Sequence, residues 1–329
     1  MSIYSDPAAT IKRFSNLKVV VLGDIMLDIY EFCFNSASKP IESEKAGKRA
    51  YTAQKTVKTL GGAGNVAANL SSLGVQSVLI GVTGNDGHYF TLQQIADDLG
   101  IRHCFIRDRQ RPTTSKSRLY IDNQYLLRRD EESSAQVSHE TALTLVNETL
   151  CELDGASALI LSDYNKGLFR EDLARAVIDR AKERRIPIIV DFKPANAKIF
   201  AGATVISPNS KEAEELLPGF NQGDFENSLP ALRDRLRCDS VVVTLGDRGI
   251  CGIDDSGCFH VPANAVEEVD AVGCGDTVRA VLAVGRALGL SLDDAAALAN
   301  DAAAVIVQKP ATAMVTSDEL LSFISAKAQ

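Results

Sequence analysis

Residues 270–277 read DAVGCGDT, and the run that follows, VRAVLAVGRALGL (278–290), is apolar at helical spacing. A glycine-rich turn feeding a helix leaves the first amides of that helix without partners. The helix dipole adds partial positive charge at the same place, and together they make a hole for an anion. A plain cap accounts for the same residues, with Asp276 accepting from the first-turn amides and the glycines permitting the turn. The rest of the chain decides between the two readings, and with them the fold.

Outward from that stretch, runs rich in branched apolar residues at 18–22 (KVVVL), 77–80, 158–161 (ALIL), 186–190 (IPIIV), 204–206 and 241–244 (VVVT) read as buried strands. Helical patterns at 64–73, 89–98, 171–183, 211–217 and 229–237 separate most of them. The motif itself opens two more helices, 276–288 and 292–307, the second capped by Ser291. This alternation predicts an α/β fold with a mostly parallel sheet, helices on both faces, and ligands at the carboxyl ends of the strands. Two segments, about 29–59 and 112–129, show alternation and turns without a helix. Within the second, SKSRLYIDNQYLLRRD (115–130) reads as a hairpin centred on Asp122 and Asn123. Both are expected to form a small β-sheet lid inserted in a single domain spanning 1–329, with the polar stretch 39–54 as a mobile loop.

The chain has 329 residues and is 45% hydrophobic, enough to fill a sizeable core. A formal net charge of -8 and scattered basic residues argue against nucleic acid as a partner. An anionic ligand must then be held by local amides and a few lysines against that net charge. No apolar run is long enough to predict a membrane span, and MSIYSDPAATIKRFSNLK lacks the apolar core of a signal peptide. The 7 cysteines include no C-x-x-C pair, which predicts free thiols in a reducing, cytoplasmic compartment. His88, His103, His139 and His260 share no metal-ligand spacing.

Three further stretches stand where such a sheet holds ligands. GDIMLD (23–28) places two carboxylates directly after a buried strand, suited to the hydroxyls of a polyol, although Asp28 at the surface and Asp24 as a strand end read equally well. GGAGN (61–65) precedes a helix; Gly61 and Gly62 admit a ligand close to the backbone, and Asn65 offers both a donor and an acceptor. An ordinary loop-to-helix junction would look the same. PNSKE (208–212) fits a helix cap at Asn209 with Glu212 as its reciprocal partner.

In order and spacing, GDIMLD, GGAGN, PNSKE and DAVGCGDT resemble the motifs of the ribokinase-like (PfkB) carbohydrate kinases, over about 18–319. The resemblance implies a three-layer α/β/α core with a β lid, ATP and Mg²⁺ as cofactors, and a small-molecule sugar phosphate as acceptor. It assigns Asp276 as the base, with the amides around Gly273, Cys274 and Gly275 as the anion hole. Asp24, Asp28, Gly61, Gly62 and Asn65 become sugar ligands, and Asn209 and Glu212 organise Mg²⁺ through water. Thr244, Gly246 and Gly249, in TLGDRG, together with Asn300, fall on the nucleotide. Lys193 faces a phosphate of either ATP or substrate, and Arg128 closes over the ligand from the hairpin.

LSDYNKG (161–167), VDFKP (190–194), GATVISPNSKE (202–212) and QYLLRRDEE (124–132) are similar to one branch of that family. Its members phosphorylate the anomeric hydroxyl of D-glycero-β-D-manno-heptose 7-phosphate, on the route to ADP-heptose and lipopolysaccharide. The alternatives are a kinase for another sugar and a catalytically silent binder of sugar or nucleotide, although a silent binder has no need of Asp276, Asn209 and Glu212. The open edges of a lid predict a homodimer formed through it. The chain departs from the family pattern at Ala271 and Cys274, usually Thr and Ala, and along 35–59. A thiol at a helix amino terminus is expected to have a lowered pKa, making activity sensitive to alkylation.

Overall fold

The computed structural model describes residues 6–40, 47–221, 223–309 and 313–327. In chain order its strands are β1 (Lys18–Gly23), β2 (Ile25–Cys33), β3 (Lys39–Pro40), β4 (Arg49–Ala50), β5 (Ala53–Gly62), β6 (Gln76–Gly84), β7 (Arg102–Asp108), β8 (Ser115–Ile121), β9 (Gln124–Glu131), β10 (Ala158–Ser162), β11 (Ile188–Asp191), β12 (Val205–Ile206), β13 (Ser240–Thr244), β14 (Ile250–Asp254) and β15 (Gly257–Val261). Its helices are α1 (Pro7–Lys12), α2 (Ala63–Ser72), α3 (Gly87–Asp98), α4 (His139–Glu152), α5 (Glu171–Glu183), α6 (Ser210–Leu216), α7 (Phe225–Leu236), α8 (Cys274–Ala287), α9 (Leu292–Ile306) and α10 (Ser317–Lys327).

Nine strands form the main sheet in the order β15-β14-β13-β12-β11-β10-β1-β6-β7. It is parallel from β13 to β7 and turns antiparallel at β14 and β15. Continuous burial of β10 and β11 is what a sheet covered on both faces requires. The period of two sorts β1 between those faces. Val19 and Val21 join the core under α2, α8 and α9, while Val20 and Leu22 join the core under α4, α5 and α7. Among the described residues no helix is long and apolar enough to cross a membrane.

The second sheet runs β5-β2-β8-β9, with β2 and β8 parallel and both outer pairs antiparallel. The hairpin between β8 and β9 turns at Asp122 (φ 48) and Asn123 (φ 64), both left-handed, as a two-residue turn matched to the strand twist demands. This sheet is longer than the sequence implied. β2 begins at Ile25, directly after β1, and β5 continues to Gly62, so Asp28, Gly61 and Gly62 are strand residues rather than loop residues. Residues 41–46 of the polar stretch expected to be mobile lie outside the described residues.

Two other boundaries moved for local reasons. β11 begins at Ile188, not 186, because Pro187 has no N–H for the ladder. α7 begins at Phe225, four residues before the expected start, and carries Pro230 inside it rather than at its first turn.

Candidate active site

Asp24, Tyr164, Asp191, Lys193 and Asn209 stand at, or within three residues of, the carboxyl ends of β1, β10, β11 and β12. Opposite them α8 presents its amino terminus, and Asp276 is where the two sides meet. Its Oδ1 accepts from the Tyr164 hydroxyl at 2.7 Å and its Oδ2 from Asn65 Nδ2 at 2.8 Å. Asp276 does not cap its own helix. The N-cap is Gly273, left-handed at φ 85, which contributes no side chain. The amides of Gly275 and Asp276 have no main-chain acceptor among the described residues, whereas Cys274 N–H reaches the Ala271 carbonyl at 3.3 Å. Burial pushes the Asp276 carboxyl above the ordinary carboxylate range, and Arg279, Asn65 and Tyr164 pull it back. Burial also pushes the Tyr164 hydroxyl well above the usual phenol value, so it remains a donor.

On one side of this junction lies a cavity of about 510 Å³. Thr244, Gly246, Gly249, Cys274, Gly275 and Asn300 all line it, which brings the expected nucleotide residues together. The Asn300 amide donates to the Pro262 carbonyl at 2.9 Å and so ties α9 to the loop that closes the cavity.

On the other side, Asp28 is paired with Arg118 at 2.7 Å. A Cβ at Gly61 would fall on the Asp28 carboxylate, so only glycine leaves that carboxylate in place. Asp24 is enclosed, with Oδ2 accepting from the amides of Tyr164 (2.8 Å) and Lys166 (3.1 Å). Burial first, and Asp163 second, raise its pKa to about 7. Asp24 thus braces the 163–166 turn that carries Tyr164.

Asn209 and Glu212 form the reciprocal cap their spacing implied. Asn209 Oδ1 accepts from the amides of Lys211 and Glu212, and Glu212 Oε2 accepts from the Asn209 amide at 3.0 Å. The other Glu212 oxygen pairs with Lys193 Nζ at 2.6 Å, and that ammonium lies 5.5 Å from the centre of the Tyr164 ring. Among the described residues no cluster of three or more His, Cys, Asp or Glu forms a ready cage for a cation. The donor set fits an ion that keeps most of its waters, which is the habit of Mg²⁺.

Arg128 is not among the residues brought together. It lies on β9, half exposed, with Nε on Asp130 at 2.8 Å, and its cross-strand neighbour Arg118 is the arginine that reaches Asp28. The expectation for Cys274 is overturned. Burial first, then Glu268, Asp270 and Asp276, push its thiol up to about 11. Sequence reasoning passed over Tyr164, Asp191, Arg118 and Arg279. The first two follow buried strands, and Arg279 is a lone charge in an otherwise apolar run; each signal was present.

A nine-stranded sheet covered by helices, with a cavity of about 510 Å³ and a buried carboxylate at a helix amino terminus along one edge, has the architecture of an α/β phosphotransferase. A model described as the pfkB family carbohydrate kinase matches residues 16–318. The chain belongs to that family, whose members transfer a phosphoryl group from ATP to a sugar. It is 37% identical over 320 residues to the bifunctional protein HldE of Bradyrhizobium diazoefficiens, covering 95% of this chain and 64% of that protein. A second relative, the bifunctional protein HldE of Campylobacter jejuni, is 37% identical over 309 residues, covering 93% of this chain and 64% of its own length. The chain therefore spans less than two thirds of the length of these relatives. Phosphofructokinase-2 from Escherichia coli, solved with substrates and products, shares the fold at a TM-score of 0.76 and 20% identity, covering 95% of this chain and 99% of that one. Arabidopsis thaliana ribokinase, solved with ribose and ATP, shares it at 0.70 and 20%, covering 94% and 98%.

Proposed function

We propose that this chain transfers the γ-phosphoryl group of ATP to the anomeric (C1) hydroxyl of D-glycero-β-D-manno-heptose 7-phosphate, giving the 1,7-bisphosphate, a step towards ADP-heptose and lipopolysaccharide. The observation that carries the kinase reading is the position of Asp276, between the 510 Å³ cavity and the wall formed by Asp28 and Asn65. The choice of acceptor rests on the similarity to HldE and on the stretches LSDYNKG and VDFKP.

In this reading Asp276 takes the proton of the acceptor hydroxyl. Asn65 and Tyr164 each occupy one lone pair of the carboxylate and fix its plane, and each oxygen keeps another for the acceptor. A carboxyl raised by burial is a stronger base, closer to the working pH. The amides of Gly275 and Asp276, at the positive end of α8, receive charge that develops on the phosphoryl group. Asn209 and Glu212 are the residues that would hold Mg²⁺, which when bound supplies charge neutralisation at the phosphates. Lys193, released from Glu212, offers its ammonium to a phosphate. Asp28, Gly61 and Gly62 shape the sugar side, and the β5-β2-β8-β9 sheet acts as the lid that excludes water. Its edge strand β9 is exposed along all eight residues, and pairing with a second copy there would give a homodimer.

The test is ADP release against a panel of sugars and sugar phosphates, with Asp276→Asn in parallel. Highest kcat/KM for the heptose 7-phosphate, lost in the variant, is expected. Turnover confined to another sugar would move the acceptor, and no sugar-dependent ATP consumption would contradict the kinase reading.

A further inference from the structure

Arg279 is the lone charge between residues 277 and 285 of α8, and it is 7% exposed. Its Nη2 forms an ion pair with Asp191 Oδ1 at 2.8 Å, at the carboxyl end of β11, without hydrogen-bond geometry, and donates to the Ser207 carbonyl at 3.3 Å. Its Nη1 lies 3.9 Å from Asp276 Oδ1. Nε is buried with no hydrogen-bond partner among the described residues. A Cβ at Gly275 would come within 2.5 Å of Nη1, so the guanidinium rests directly against the first turn of α8, beneath the amides of the anion hole. Burying a guanidinium with part of its donors unused is costly, and apolar packing at such a site is commonly at least as stable. Stability alone does not call for this residue.

We infer that Arg279 is a positioning residue for phosphoryl transfer: clamped by Asp191 and the Ser207 carbonyl, it holds the Asp276 carboxylate aligned and ionised and sets a fixed positive charge under the phosphoryl-binding turn. The inference rests on the reading of Asp276 as base. The titratable groups that face Asp276 are Arg279 from its own helix, Tyr164 after β10, Asp191 at the end of β11 and Asp28 on β2, with Asn65 from α2 as a neutral donor. Among the described residues of that set Arg279 is the one cation; Arg118 pairs with Asp28 and Lys193 acts on Asp191 from further out. Without Arg279, Asp276 and Asp191 would share one low-dielectric region with no cation against Asp276.

The experiment compares kcat, KM and the pH profile of ATP-dependent phosphorylation for wild type, Arg279→Lys and Arg279→Gln, with Asp276→Asn as the reference. Gln keeps a donor for Asp191 without the charge. Should it fail to fold, Arg279→Met/Asp191→Asn removes both charges of the pair and is read on kcat alone. The neutral variants are expected to lose about 100-fold in kcat, the scale of a misplaced catalytic group, with much less change in KM. In Arg279→Gln the acid limb moves to higher pH, because the cation favouring ionised Asp276 is gone. Arg279→Lys keeps the limb in place while recovering part of kcat. A folded neutral variant with wild-type kcat and limb overturns the inference, as does a Lys variant whose limb moves as far as that of Gln. Wild-type turnover that survives Asp276→Asn would instead remove the base reading and the inference together, which separates the two failures.

Discussion

Replacing Asp24 with Asn should stabilise the protein, and increasingly so as pH rises. Asp24 Oδ2 accepts from two main-chain amides, and its side chain also hydrogen-bonds that of Asp163, an arrangement that needs a proton between the two carboxyls. Burial and Asp163 raise the Asp24 pKa from 3.8 to about 7. Across that window the folded chain holds a proton that the unfolded chain has released. The associated stability is therefore complete below the unfolded value and is lost as pH rises through the folded one. About 3 units at about 1.36 kcal/mol each amounts to about 4 kcal/mol. Asn reproduces the protonated form, with Oδ1 taking the two amides and Nδ2 donating to Asp163. Urea unfolding of both proteins between about pH 4 and pH 8 is the assay, read where the m values agree. The stability difference in favour of Asn should grow by about 4 kcal/mol across that range. A difference independent of pH, or one that turns against Asn near pH 8, would refute the reasoning and mean that the folded protein keeps Asp24 ionised on its two amides.

Gly61→Ala puts a methyl against the Asp28 carboxyl, whose Cγ would lie 2.9 Å away, and displaces it from Arg118. Steady-state kinetics should show KM for the sugar substrate raised about tenfold or more with kcat nearly kept, and an unchanged KM would remove Asp28 from the sugar wall. Arg118→Met strips the same carboxylate of its charged partner at 2.7 Å, which should cost about 2 kcal/mol in urea unfolding and also weaken sugar binding. Iodoacetamide near neutral pH should label exposed Cys151 well before Cys274, whose thiol is pushed up to about 11; mass spectrometry that finds Cys274 modified first would contradict that assignment.

The parallel core was legible because strands buried on both faces write themselves as uninterrupted branched apolar runs, as at 158–161 and 241–244. The outer strands were not. β7 (RHCFIRD) and β15 (GCFHV) mix polar and apolar residues, since one margin of each meets solvent, and no period marks them. The hairpin turn at Asp122 and Asn123 was legible because a two-residue turn with both φ positive leaves few residue choices. Thr244, Gly246, Gly249 and Asn300 were legible as a group that the fold gathers around one cavity, since glycines and caps act through backbone geometry that local sequence encodes. What escaped were pairings made across the fold: Tyr164 meets Asp276 from the turn after β10, Arg279 on α8 meets Asp191 at the end of β11, and Arg118 on β8 meets Asp28 on β2. The Cys274 expectation failed because the local helix start argued for a low pKa while burial, which the fold creates, and then Glu268 and Asp270 decided it.

Phosphorus NMR of the product formed from ATP and D-glycero-β-D-manno-heptose 7-phosphate, with wild type and Asp276→Asn side by side, tests the central claim most directly. The account predicts a new phosphate resonance coupled to the anomeric proton, with the 7-phosphate signal retained, and its rate of appearance reduced by about 100-fold or more in the variant. A product phosphorylated elsewhere on the sugar, or an anomeric phosphate formed at the wild-type rate by Asp276→Asn, would contradict it.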